Sequence, residues 1–261
     1  KKLYEDDNEY SSKWLSFGIT RKTTKRQTMT LCYGSTFFSC RSYTTEWFYN
    51  ELKTGAENPF GDETYRPCHY LASVVWDAIG EVVHSARAGM DWLTECAAVL
   101  LDHGVTPRWM TPLGFPVKMH YEKTNQYSVK TMVAGVLRQH RLKIPNGLVN
   151  RRKMINAICP NYIHSLDGLG GLLGATVNRC LDLGVKDFLA NHDSVSVHAN
   201  NWDIFHKSVR QSTVDLFGPN LLEDLREQLT YLLPSGVSLP PVPELGGLDV
   251  QSVLKSPYYF T

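Results

Sequence analysis

Four side chains recur at four-residue intervals early in this sequence: Arg21, Lys25, Met29 and Tyr33. That interval is close to one turn of an α-helix, so each residue stands roughly one turn above the last on a slowly winding track. Thr20 can cap such a helix through its side-chain oxygen, and Gly34 is placed to end it. The spacing predicts a helix carrying two cations, a thioether and a phenol in line. Two cations one turn apart suit a polyanion such as a triphosphate, and a planar residue one turn beyond an apolar one suits a base or a sugar. A solvated basic helix end running into a core has the same pattern, and spacing alone does not separate the two.

Charge is spread unevenly. The 261 residues carry a net charge of only +1, so no global basic field announces nucleic acid. Yet no acid lies between Glu9 and Glu46, where Lys13, Arg21, Lys22, Lys25, Arg26 and Arg41 fall. None lies between Glu122 and Asp167 either, against Lys123, Lys130, Arg138, Arg141, Lys143, Arg151, Arg152 and Lys153. Two acid-free basic stretches predict local phosphate-contact surfaces; chance clustering is the alternative. Hydrophobic residues make up 43% and charged ones 20%, the balance of a globular protein with a substantial core in one large domain or two smaller ones. The six cysteines form no Cys-x2-Cys and meet no histidine pair, which reads as reduced thiols in a cytosolic protein. No run approaches a membrane span and no signal-peptide pattern occurs, so a cytoplasmic chain without membrane contact is expected. The start at Lys1, without methionine, reads as a fragment, a processed product or a trimmed piece.

Along the chain, Lys1 to Tyr10 reads as a polar linker, and Phe37 to Tyr49 as aromatic-rich helix or loop. Lys53 to Pro67, with Gly55, Pro59 and Gly61, is expected to be a surface loop. Apolar spacing from Leu71 to Leu100 predicts one or two packing helices ending at Gly104. Trp109 to Val117 is turn-rich and opens a strand region, after which Tyr127 to Ile144 reads as a basic β-hairpin breaking at Ala134-Gly135. Pro160 and Asn161 suit the start of a helix running to Leu183, with Gly184 as its stop and His164 and Asp167 on one face. Short apolar strands flank Asn191-His192-Asp193, so a tight hairpin is expected to lift Asp193 to its tip. Asn220 can cap a helix through Leu229, and a proline-rich link and an apolar-aromatic tail end the chain.

Three of these stretches carry a family resemblance. Gly18-Ile19-Thr20-Arg21, Thr24-Lys25-Arg26 and Met29-Thr30-Leu31-x-Tyr33-Gly34-Ser35 resemble motif B, the nucleotide-binding fingers helix of right-handed polymerases, in the form found in the single-subunit DNA-dependent RNA polymerases of phages and mitochondria. Pro160-Asn161-x-x-His164-Ser165-x-Asp167 is similar to that family's passage from fingers to palm, and His192-Asp193-Ser194 to its palm motif C, in the family's order. The implied fold is α+β and mainly helical: fingers over 1–160 with a specificity-type hairpin at about 125–145, then the carboxyl-terminal palm with the motif C hairpin and a terminal foot over 161–261.

The resemblance implies roles. Arg21 and Lys25 would hold the triphosphate, beside Met29, Tyr33 and Gly34, with Lys25 stabilising charge in phosphoryl transfer and Tyr33 sensing the ribose 2′-hydroxyl. Phe38 would lie beside the templating base; Ser128, Lys130, Arg138 and His140 would reach base edges of promoter DNA; His164 would touch the growing transcript; His192 would meet nucleic acid. Asp193 would be one of two aspartates holding two Mg²⁺ ions, a hard-oxygen ligand of the kind Mg²⁺ takes. The other, in motif A, and the amino-terminal promoter-binding portion match nothing here, so they are expected on a missing portion, on the same or a separate polypeptide, and this chain is expected to be inactive alone. Template DNA, nascent RNA and ribonucleoside triphosphates are the implied partners, in a host cytoplasm if the chain is phage-encoded. A family-A DNA polymerase is the alternative, disfavoured by Met29, where those enzymes place an aromatic, and by Ser194, where they place Glu. A non-catalytic nucleic-acid-binding remnant is the other. The family commonly closes in alanine, where this chain has Thr261.

Overall fold

The computed structural model describes residues 1–6, 8–191 and 194–259, and is mainly helical with three small antiparallel sheets. The chain divides into two compact units, Lys1–Trp92 with Pro243–Gly246, and Leu93–Val242 with Gly247–Thr261.

The first unit holds α1 (Lys2–Glu5), α2 (Glu9–Phe17), α3 (Arg21–Leu31), α4 (Phe37–Lys53) and α5 (Tyr65–Val82); α6 (His84–Asp102) begins in it and ends in the second unit. Its core is aromatic. Trp14 is fully buried, with the Phe60 and Phe48 rings 4.6 and 5.1 Å away, and its indole N–H donates to the Pro67 carbonyl at 3.0 Å. The opening residues are helical rather than the linker their polarity predicts. Leu3 is buried in the same core, Ser11 Oγ donates to the Leu3 carbonyl, and Asp6 accepts from the Tyr70 hydroxyl at 2.6 Å. One leucine among polar residues gives little periodic signal but enough buried area to order a turn. The predicted packing helices separate as α5 and α6, each with an apolar face toward a core.

In the second unit, β1 (Arg108–Met110) pairs with β2 (Pro116–Lys118) around the turn-rich segment, and Gln228 clamps Met110 through both its backbone N–H and its carbonyl. β3 (Glu122–Val133) and β4 (Val136–Val149) make the long hairpin, with Ala134 and Gly135 at φ +47° and +78° in its two-residue turn. That is the backbone of a type I′ turn, which matches the strand twist. α7 (Arg151–Asp167) follows, then α8 (Leu172–Asp182), β5 (Phe188–Asn191) paired with β6 (Ser194–Val197), α9 (Trp202–Phe217) and α10 (Leu221–Thr230). Asn220 caps α10 as expected, accepting from the Glu223 N–H at 3.2 Å.

The single helix predicted from Pro160 to Leu183 is two helices, and the first starts earlier. Asn150 caps α7 by accepting from the Lys153 N–H at 3.1 Å, and Pro160 lies inside the helix. Proline lacks the N–H that would bond the Asn156 carbonyl, and α7 continues past that gap. The helix breaks from Gly168 to Gly171, where the Leu166 backbone approaches Gly171 too closely for a Cβ. Gly184, at φ +86°, sits just past the end of α8, as its predicted stop.

Candidate functional site

α3 is built by two faces of opposite character. Thr23, Gln27 and Leu31 are buried, one helical turn apart, and Gln27 Nε2 donates to Thr44 Oγ1 on α4 at 3.1 Å. That stripe turns the other track outward: Arg21, Lys25, Met29 and Tyr33 are all exposed, Met29 by 57% and Tyr33 by 40%. At its start Thr23 Oγ1 accepts from the Thr20 N–H at 3.0 Å. At its end the regular helix closes at Leu31, two residues before Tyr33. The Gly34 N–H bonds the Leu31 carbonyl at 2.9 Å and the Ser35 N–H bonds the Thr30 carbonyl at 3.2 Å, with Gly34 at φ +79°. This is a Schellman closure, which needs a left-handed residue and so needs Gly34. Tyr33 therefore projects from a fixed turn.

The cations differ in their partners. Arg26 is occupied, its Nη1 bonded to Glu46 Oε2 at 2.6 Å and its guanidinium 4.1 Å from the Tyr43 ring centroid. Arg21 and Lys25 pair with no carboxylate among the described residues. Two uncompensated cations about 6 Å apart along a helix can meet successive phosphates of a polyphosphate.

In the second unit the Pro-Asn-x-x-His-Ser-x-Asp segment divides by role. Asn161 Nδ2 donates to the Tyr121 hydroxyl at 3.0 Å, the buried Tyr162 hydroxyl donates to the Leu221 carbonyl at 2.9 Å, and the Trp109 indole donates to Ser165 Oγ at 3.1 Å. Burial also pushes the Tyr162 phenol far above its ordinary range. These residues and Leu166 anchor the helix, whereas His164 and Asp167 face outward. The Trp109–Ser165 and Tyr121–Asn161 bonds have no signal in local spacing. Only the polar tips on otherwise apolar rings point to the need for a partner.

The long hairpin is exposed almost throughout, and its register divides the four predicted base-reading residues. Ser128 pairs with Arg141 and Lys130 with Gln139, while Thr131 pairs with Arg138 and Val129 with His140. Directly paired residues share a face and neighbours alternate. Ser128 and Lys130 therefore lie on one face, Arg138 and His140 on the other. At the hairpin's foot, Glu122 accepts from the Gly147 N–H at 2.9 Å and from His120 Nε2 at 2.7 Å, and these bonds, the imidazole's first, hold its carboxyl below the ordinary range.

The strands flanking the predicted motif C pair as expected, with Asn191 opposite Ser194. His192 and Asp193, on which the metal and nucleic-acid expectations rest, lie outside the described residues. Among the described residues no group of three or more His, Cys, Asp or Glu could hold a metal ion. None of the six cysteines is in a disulfide, and burial pushes Cys40 and Cys68 up to about 11 and Cys96 to about 12, well away from the thiolate needed for attack or zinc. A cavity of about 600 Å³ bordered by Leu113, Ala175, Arg179, Asp215 and Leu216 contains none of the predicted site residues. No described helix is long and apolar enough to cross a membrane.

One residue escaped the sequence reading altogether. Arg210, buried on α9, donates through Nη1 to the Val253 carbonyl at 2.8 Å and through Nη2 to the Tyr259 carbonyl at 3.1 Å, fixing the carboxyl-terminal tail. A cation inside a helix reads as surface, and its acceptors are backbone atoms more than forty positions away.

Comparison with known proteins covers most of the chain. The family model described as DNA-dependent RNA polymerase matches residues 1–236. DNA-directed RNA polymerase 2A of Nicotiana tabacum is 33% identical over 242 residues, covering 93% of this chain and 69% of that protein. DNA-directed RNA polymerase 2, chloroplastic/mitochondrial, of Arabidopsis thaliana is 36% identical over 244 residues, covering 93% of this chain and 23% of that protein. DNA-directed RNA polymerase 3, chloroplastic, of Nicotiana sylvestris is 33% identical over 255 residues, 98% of this chain and 25% of that protein. The chain thus spans about a quarter of the length of the organellar relatives just named. By these matches the chain belongs to the DNA-dependent RNA polymerase family, of the single-subunit phage type.

Proposed function

We propose that this chain supplies the fingers and the motif C part of the palm for DNA-templated RNA synthesis. The observation that carries the reading is the outward track of α3, where Arg21 and Lys25 stand without carboxylates, followed by Met29 and the turn-fixed Tyr33. Arg21 and Lys25 bind the triphosphate, Lys25 nearest the phosphoryl group where charge develops, and Tyr33 meets the ribose. His164, facing outward from the end of α7, contacts the transcript, and Phe38 the template. The hairpin reads promoter DNA with both faces, Ser128 and Lys130 from one side and Arg138 and His140 from the other, as a two-stranded ribbon in a major groove can. The functional boundary near residue 160 follows motif order and is distinct from the division into compact units.

Asp193 would supply one carboxylate to Mg²⁺, which when bound would activate the 3′-hydroxyl and neutralise the leaving pyrophosphate. The match of His192-Asp193-Ser194 to the family's palm motif supports that assignment, with further ligands expected from residues outside this sequence. Cysteines outside any disulfide, five of the six buried, fit a reducing compartment such as a cytoplasm; the Nicotiana sylvestris relative's name places that protein in the chloroplast.

The reading is tested in a polymerase containing this chain. Lys25→Ala should lower kcat for nucleotide addition by roughly 100-fold or more, the scale of removing one charge-stabilising donor. A rise in KM with unchanged kcat would reduce Lys25 to ground-state binding, and no change in either would remove α3 from the site.

A further inference from the structure

The second unit carries a basic cleft that none of the motifs supplies. α8 and the turn after it pack against α9 through Cys180, Val185 and Phe205, all buried, which sets Arg179, the neighbour of Cys180, at the seam. From α9 come Lys207 and Gln211, one helical turn apart, with Ser208 and Arg210 beside them. Leu183, and Leu254 from the 3₁₀ segment Val250–Lys255 of the tail, complete the lining of a cavity of about 360 Å³. Three of its seven lining residues are cations and none is an acid, so its charge needs accounting for.

The charges around the cavity do not cancel. Arg210 is buried and donates to neutral acceptors, His206 Nε2 at 3.1 Å from Nε and the Val253 and Tyr259 carbonyls, and a buried guanidinium without a counter-charge is costly. Lys207 pairs with no carboxylate among the described residues, and Asp203, one turn before it, forms no ion pair with it. Arg179 is compensated by Asp215, which Gln211 Nε2 also holds at 2.8 Å and which lies outside the cavity lining. Two positive charges are left over. In the wall, Arg179 Nε and Ser208 Oγ are buried without hydrogen-bond partners among the described residues, and such groups gain most from an acceptor. We propose that this cleft binds a compact phosphate-bearing anion, Lys207 and Arg179 meeting its oxygens while Arg210 adds charge from behind. The two leucines lower the local dielectric and strengthen that attraction. A volume at the lower end of the small-molecule range suits inorganic phosphate, pyrophosphate or one phosphate of a longer molecule better than an enclosed nucleotide. Because Leu254 lines the cleft, a bound anion also steadies the tail.

The test is peptide-resolved amide exchange of the 261-residue chain titrated with pyrophosphate. Binding should slow exchange across Trp202–Phe217 and Val250–Lys255 and so give a local affinity. Lys207→Gln should weaken that affinity roughly tenfold and Lys207→Arg should retain it, while Lys118→Gln, at an exposed lysine of β2, should leave it within about twofold. Lys25→Ala should not move it, which separates this cleft from the triphosphate track on α3. Displacement of pyrophosphate by oligothymidylate would assign the phosphate to a strand's backbone, and failure to displace it to a free anion; both support the site. Unchanged exchange in both segments up to about 10 mM pyrophosphate overturns the proposal. Equal losses from Lys207→Gln and Lys118→Gln, with unchanged circular dichroism, also overturn it, because they would show a diffuse field in place of a site.

Discussion

Tyr33 owes its usefulness to the turn that carries it. The Schellman closure at Gly34 fixes the backbone from which the phenol projects, which sets the starting position of its hydroxyl for the ribose contact proposed above. Tyr33→Phe in the complete enzyme should keep most activity but relax discrimination between ribo- and deoxynucleotides by roughly tenfold, the scale of one hydrogen bond. The ratio of kcat/KM for ATP and dATP reads this directly; an unaltered ratio removes Tyr33 from sugar selection. Glu122 gives a different residue-scale test. Its carboxyl is held below its ordinary value of 4.5, so the ionised form is the one the fold favours. The contribution is therefore complete above that ordinary value and lost as the pH falls through the lowered one. The protection of the Gly147 amide relative to its intrinsic exchange rate at the same pH should fall as the pH drops below 4.5, and Glu122→Gln should abolish that fall. The outward α3 residues were legible because their partners repeat within one helix. Ser165, Asn161 and Arg210 were not, because Trp109, Tyr121 and the Val253 carbonyl lie 56, 40 and 43 positions away.

At the scale of elements, the misplaced start of α7 is instructive. Pro160-Asn161 carries the features of a helix beginning, and the true first turn, Arg151-Arg152-Lys153, carries charge of the wrong sign for the helix dipole. Asn150 and the packing of Met154 and Ile158 prevail over both. The hairpin was legible by its turn and its alternation, but not the division between its faces of the four residues expected to read bases, because register depends on where the turn closes. That turn can be adjusted. Ala134 is the only non-glycine residue with positive φ among those described, a conformation costing an L-residue about 1–2 kcal/mol. Ala134→Asn, which suits the first position of a type I′ turn, should stabilise the hairpin by up to about 1 kcal/mol without shifting its register. Slower amide exchange at Val133 and Val136 would report the gain. Faster exchange would mean that the native turn is relaxed by something other than the residue's own preference.

For the whole molecule, the decisive question is how many metal-binding carboxylates these 261 residues provide. Asp193 is the one acidic residue in the motif C match, and no cluster among the described residues supplies a ready-made set. Nucleotidyl transfer by two ions needs carboxylates on both sides of the reacting phosphate, so one aspartate cannot hold the pair. Meanwhile the surfaces proposed for substrate and template do not depend on it: α3 is held by its own hydrogen bonds and its buried stripe, and the hairpin by its cross-strand pairing. Binding and catalysis should therefore separate. The isolated chain should bind template DNA weakly and with strong salt dependence, yet incorporate no ribonucleotide on a primed template in Mg²⁺. Adding a polypeptide that carries the family's motif A should restore incorporation, and Asp193→Asn should abolish the restored activity while leaving DNA binding within about twofold. Incorporation by the isolated chain would show that the remaining ligands lie within these 261 residues, and would move the search to the other carboxylates of the second unit.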